Sequence, residues 1–91
     1  MQILYCVPKY PAEVKDYDLS YAFPVEFTRF DGLSDHTIGL DCAKIALARG
    51  AGIIEKHFCL DHSTGIDAKW SMDSEELSEL KRWESLCHEV L

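Results

Sequence analysis

The side chains best suited to chemistry lie in two short stretches, GLSDHT at residues 32–37 and IIEKHF at residues 53–58. Each ends an apolar run with a histidine two positions after a polar residue: Ser34 before His36, and Glu55 before His57. If both stretches are strands, alternation puts Ser34 and His36 on one face, and Glu55 and His57 on one face of the next strand. Parallel neighbours lie about 4.8 Å apart, close enough for two imidazoles at matching heights to converge on one divalent ion. Imidazole nitrogens suit manganese, iron, cobalt or zinc better than calcium. The competing reading is structural, since a histidine at a strand end is more often hydrogen-bonded than a ligand, and spacing alone leaves both readings open.

The elements that must position these groups follow from periodicity. Residues 3–7 form an apolar run of strand length, stopped by Pro8 and Pro11. Residues 12–27 mix acids with Tyr17, Leu19, Tyr21, Phe23 and Phe27 and contain Pro24, which predicts a short, imperfect helical connection. A second strand is expected over 30–36. After it, Ile38, Cys42, Ile45 and Ala46 recur at helical spacing up to a stop at Gly50. The third strand is expected over 53–58, followed by a polar loop, LDHSTGID. Asp73 then caps a helix with Glu76 as its capping-box partner, and Leu77, Leu80, Trp83, Cys87 and Val90 lie along one face. Strand and helix alternate three times, the pattern of an α/β fold with parallel strands and crossover connections. In such folds the working residues sit where strands end and loops begin, which is where both histidines fall.

At 91 residues the chain is at most one domain. Nine basic residues against sixteen acidic, with no basic cluster, make nucleic acid and anionic membrane poor partners. No apolar run is long enough to span a bilayer, and MQILYCVPKY lacks the basic region and cleavage site of a leader, so the expected location is cytoplasmic. The four cysteines, Cys6, Cys42, Cys59 and Cys87, have no C-x-x-C spacing and are expected to be buried thiols.

YCVPKYPA, DGLSDHTIGL and IIEKHFCLD, in that order and followed by GIDAKWSMDSEEL, resemble the C-terminal part of the barrel of the sialic acid synthase family. That family, with its legionaminate and pseudaminate relatives, condenses phosphoenolpyruvate with an N-acyl sugar such as N-acetylmannosamine. The resemblance implies a partial TIM (β/α)₈ barrel, with this chain supplying its last three β/α units, strands six to eight. It implies that His36 and His57 bind a divalent metal, Mn²⁺ or Mg²⁺. Ser34 would contact phosphoenolpyruvate, and Glu55 would be the acidic group beside the reacting carbons. Tyr10 would line the sugar pocket, and Asp67 would bind sugar hydroxyls.

Three departures accompany the resemblance. Pro8 stands where the family carries Asn or Ser near the phosphate, Cys59 replaces a Thr, and the loop after His57 is shorter. A complete barrel needs roughly 250 residues, so the chain is expected to be a fragment without the family's antifreeze-like C-terminal domain and without activity of its own. Lys56 should alternate away from His57 and point outward, leaving the metal and Lys9 as the groups that could meet the charges of the anionic substrate. The unpaired edges of a three-stranded sheet predict a homo-oligomer. The alternative is a non-catalytic module that binds a metal or phosphosugar, or that serves in assembly.

Overall fold

The computed structural model describes residues 1–59, 62 and 71–91. Three strands, β1 (Leu4–Cys6), β2 (Gly32–Asp35) and β3 (Ile53–Lys56), form one parallel sheet in the order β1-β2-β3. A 3₁₀ turn (Val14–Asp16) and the short helix α1 (Leu19–Ala22) connect β1 to β2, α2 (Asp41–Ala48) connects β2 to β3, and α3 (Ser74–Val90) follows. The alternation read from the sequence is thus present, with β1 and β2 shorter than expected at both ends and β3 shorter only at its C-terminal end.

The register runs straight across the sheet: Cys6 pairs with Ser34 and Ser34 with Glu55, one step beyond the row Tyr5, Leu33, Ile54. Pleating sends these two rows to opposite faces. Tyr5, Leu33 and Ile54 pack against the helix-covered core with Phe23, Cys42 and Ala46. The core clusters do not include Leu4, Cys6 or Ile53. Ser34 and Glu55 therefore project from the face opposite the helices.

Two local rules account for the helix ends. Asp73 accepts from the Glu76 N–H at 2.8 Å while Glu76 accepts from the Asp73 N–H at 3.2 Å, the expected capping box. Gly50 closes α2 with φ of 102°, a conformation open to glycine at little cost. The Trp83 indole then ties α3 to α2 by donating to the Lys44 carbonyl at 2.9 Å.

The buried faces differ in detail from the periodic reading. Ile38 precedes α2 and is 60% exposed, because residues 37–40 turn through Gly39 at φ 84° before the helix begins. Ile45 and Val90 also face outward, and Cys42, Ala43 and Ala46 form the packed face of α2. The small residues let α2 lie close to the sheet.

None of the four cysteines is in a disulfide, and the expectation that all are buried fails at Cys6, which is exposed at the end of β1. Burial pushes the Cys42 thiol up to about 12. At pH 8 a thiol reagent should modify Cys6 within the mixing time of a manual assay and reach Cys42 only on unfolding, as read by mass spectrometry with and without urea. Modification of Cys42 in the folded chain at a rate comparable to Cys6 would contradict the packing described.

Candidate functional site

At the C-terminal ends of β2 and β3 the paired register brings the expected residues together. Ser34 and Glu55 are ladder partners, and the Ser34 hydroxyl donates to Glu55 Oε1 at 2.8 Å. One residue past the end of each strand stand His36 and His57, their ring centroids 6.4 Å apart. Tyr10 arrives from the loop after β1 and stacks on His36 at 4.0 Å, with its ring 6.1 Å from that of His57. Tyr10, Ser34, His36, Glu55 and His57 line one hollow of about 430 Å³. Asp67 lies outside the described residues, as does most of the polar loop expected around it.

His36 is held from three sides. Its Nδ1 lies 3.0 Å from the Val7 carbonyl, and since a carbonyl only accepts, Nδ1 carries a proton, which in the neutral ring puts the lone pair on Nε2. Its backbone N–H donates to the Tyr17 hydroxyl at 3.1 Å, and that hydroxyl donates to the Ser34 carbonyl at 2.8 Å. Burial pushes the Tyr17 phenol up to about 12, so it stays protonated across the neutral range and can fill both roles. The His36 carbonyl in turn accepts from the Ala12 N–H at 3.0 Å. With His36 itself 7% exposed, its ring orientation is set before any ligand arrives. His57 and Glu55 are exposed toward the hollow.

Two expectations about charge need correction. Lys56 does turn to the opposite face from His57, but that face is not solvent. Its side chain is 1% exposed and its Nζ lies 3.4 Å from Asp35 Oδ2. Glu55, on the other face, has the Ser34 hydroxyl as its partner. Lys9 pairs with Asp16 at 3.4 Å, so its charge is directed along the loop rather than held ready for an anion. The sequence reading missed Asp35, Tyr17 and the Val7 carbonyl. For Asp35 a signal existed: an acid directly before His36 and a base directly before His57 become ladder partners once the histidines are aligned. For Tyr17 and Val7 there was none, because their contacts span 19 and 29 residues.

A second group with ligand character lies at the start of α3. His62 Nε2 is 2.8 Å from Glu76 Oε1 and 3.2 Å from Asp73 Oδ2. Both carboxylates already serve the capping box, which accounts for their proximity.

The geometry defines an α/β protein whose polar groups converge at the C-terminal ends of parallel strands. Comparison with known proteins narrows this class. The family model described as the NeuB family matches residues 1–89, and the chain belongs to that family. It is 41% identical over 81 residues to the N,N'-diacetyllegionaminic acid synthase of Legionella pneumophila, covering 86% of this chain and 23% of that protein. It is 42% identical over 78 residues to the pseudaminic acid synthase of Helicobacter pylori, covering 78% of this chain and 22% of that one. Among solved structures, the N-acetylneuraminic acid synthetase of Leptospira borgpetersenii, in complex with citrate, superposes with a TM-score of 0.83 at 34% identity. That match covers 96% of this chain and 32% of the other. The chain thus spans less than a quarter of the length of these two curated relatives.

Proposed function

We propose that this chain supplies one part of the catalytic face of a nonulosonic acid synthase, which joins phosphoenolpyruvate to an N-acyl sugar. The observation that carries the reading is the convergence of His36, His57, Tyr10 and the Ser34–Glu55 pair on one hollow. In this reading the three strands are strands six to eight of a (β/α)₈ barrel, and further barrel units or other copies of the chain complete the sheet at the β1 and β3 edges.

The donor set fits a divalent ion. With Nδ1 of His36 engaged by Val7, Nε2 is the nitrogen left to bind a metal, and the His57 ring stands close enough to contribute a second. Two imidazoles beside a carboxylate favour Mn²⁺ over Mg²⁺, which prefers an all-oxygen shell. A metal there would polarise the sugar aldehyde as a Lewis acid.

The remaining work falls to the chain's own groups. Carbon 3 of the enol forms the new bond to the aldehyde carbon as the aldehyde π bond opens and its oxygen takes a proton; water adds to carbon 2 and gives up its protons, and the carbon 2–oxygen bond to phosphate breaks to leave the ketone. Glu55, with one oxygen occupied by the Ser34 hydroxyl, has its other oxygen available to stabilise positive charge at carbon 2 or to take a proton from the water. Ser34 keeps oxygen lone pairs facing the site while its proton is committed to Glu55. Tyr10 forms a wall for the sugar and holds the His36 ring by stacking. The phosphate and carboxylate of phosphoenolpyruvate need cations, and Lys56 and Lys9 are paired with Asp35 and Asp16. Among the described residues no other cation lines the hollow, and in this reading the units that complete the barrel supply further ones.

The test is a chimera in which residues 1–89 replace the matched segment of the Leptospira synthetase. It should release phosphate from phosphoenolpyruvate in the presence of Mn²⁺ and an N-acyl sugar such as N-acetylmannosamine. Glu55→Gln should lower that rate by about 10²-fold or more, the scale of a lost acid–base group. A folded chimera with no sugar-dependent phosphate release would overturn the proposal.

A further inference from the structure

The two site histidines stand just beyond the points where the ladder ends. The last ladder pair is Asp35 with Lys56, so backbone pairing does not reach His36 and His57 themselves. Past that point the two strand exits are drawn in different directions. The exit of β2 is tied toward the β1 side, where Ala12 bonds the His36 carbonyl and Tyr17 bonds its N–H. The exit of β3 is tied elsewhere, the Met72 N–H donating to the His57 carbonyl at 2.6 Å.

The Lys56 side chain runs between the two exits. Its ammonium donates to the Thr37 carbonyl at 2.5 Å and lies 3.4 Å from Asp35 Oδ2. Asp35 Oδ1 accepts from both the Thr37 N–H at 2.8 Å and the Thr37 hydroxyl at 2.6 Å. Residues 35 and 37, on either side of His36, are thus locked to each other and to the residue that precedes His57. Both side chains are buried, 0% and 1% exposed, and among the described residues Asp35 Oδ2 has no hydrogen-bond partner. A buried ion pair of this kind adds little to stability compared with well-packed apolar residues, so its presence calls for another explanation.

We propose that Asp35 and Lys56 are positioning residues, a buried strut that sets the separation of the His36 and His57 rings. The inference rests on the metal-site reading for its purpose but not for its test. The chain carrying Asp35→Asn with Lys56→Met removes both charges at nearly constant volume, so that no lone charge is left buried. Its fold is checked by circular dichroism and cooperative urea unfolding. The deciding readout needs no metal: nuclear Overhauser cross-peaks between the ring protons of His36 and His57. They should be present in the wild-type chain and lost in the folded double variant. Their persistence would overturn the strut, as would their absence from the wild type. A double variant that does not fold would also overturn it, by showing that the pair holds the fold rather than the rings.

Mn²⁺ calorimetry on the same two proteins separates this inference from the metal reading. Affinity at least tenfold weaker in the double variant is expected, within the range found when outer-shell partners of metal ligands are removed. Lost cross-peaks in a wild-type chain's variant, with no Mn²⁺ binding by the wild type itself, would leave the strut standing and remove the metal site. Equal Mn²⁺ affinity with intact cross-peaks would do the reverse.

Discussion

Gly32→Ala is expected to cost the chain about 3 kcal/mol or more, the upper end of what overpacking usually costs. A methyl group built on Gly32 falls 2.1 Å from the Ile53 carbonyl oxygen and 2.7 Å from Ile53 Cβ. Ile53 is the ladder partner of Gly32, so the first obstacle is backbone and cannot swing aside as a flexible side chain would. Relief requires β2 and β3 to separate where their pairing begins. Small domains have total stabilities of roughly 5–15 kcal/mol, and a chain this short belongs near the low end, so the variant should be largely unfolded or close to it. Urea unfolding followed by circular dichroism reads the loss directly. A midpoint corresponding to less than about 1 kcal/mol would show that the two strands are not as tightly apposed as described.

The same contact bears on the site. The pairing that starts at Gly32 and Ile53 continues through Ser34 and Glu55 to Asp35 and Lys56, and the histidines follow. A splayed start would therefore misalign every pair above it.

How far the sequence foretold this arrangement depends on the range of the forces involved. Ser34 and His36, like Glu55 and His57, share a face because strand geometry repeats every second residue, a local rule that holds whatever surrounds the strand. The capping box at Asp73 and Glu76 is local in the same sense. The apolar character of Ile38 fits a helix as well as a turn, and the extended bridge between Ala12 and Thr37 decides between them. That bridge is a tertiary contact with no trace in the periodicity. Lys56 shows the limit most clearly. Alternation correctly put it opposite His57, but whether that face met water or protein depended on what covered the sheet. The partner that makes its burial tolerable, Asp35, comes from another strand. The tether from His36 Nδ1 to the Val7 carbonyl depends on loop path and was not accessible from residue types at all.

The most direct test of the account is where Mn²⁺ binds. Electron spin-echo spectroscopy of Mn²⁺ with the wild-type chain should show coupling to imidazole nitrogen. His36→Ala and His57→Ala should each weaken binding by about 100-fold or more, beyond the 10–100-fold typical of outer-shell partners. Glu76→Gln, which alters the second cluster at the start of α3, should leave binding unchanged. Coupling and affinity that survive the His36→Ala, His57→Ala double variant, or that vanish with Glu76→Gln, would place the ion with His62, Asp73 and Glu76 and contradict the site described at the strand ends.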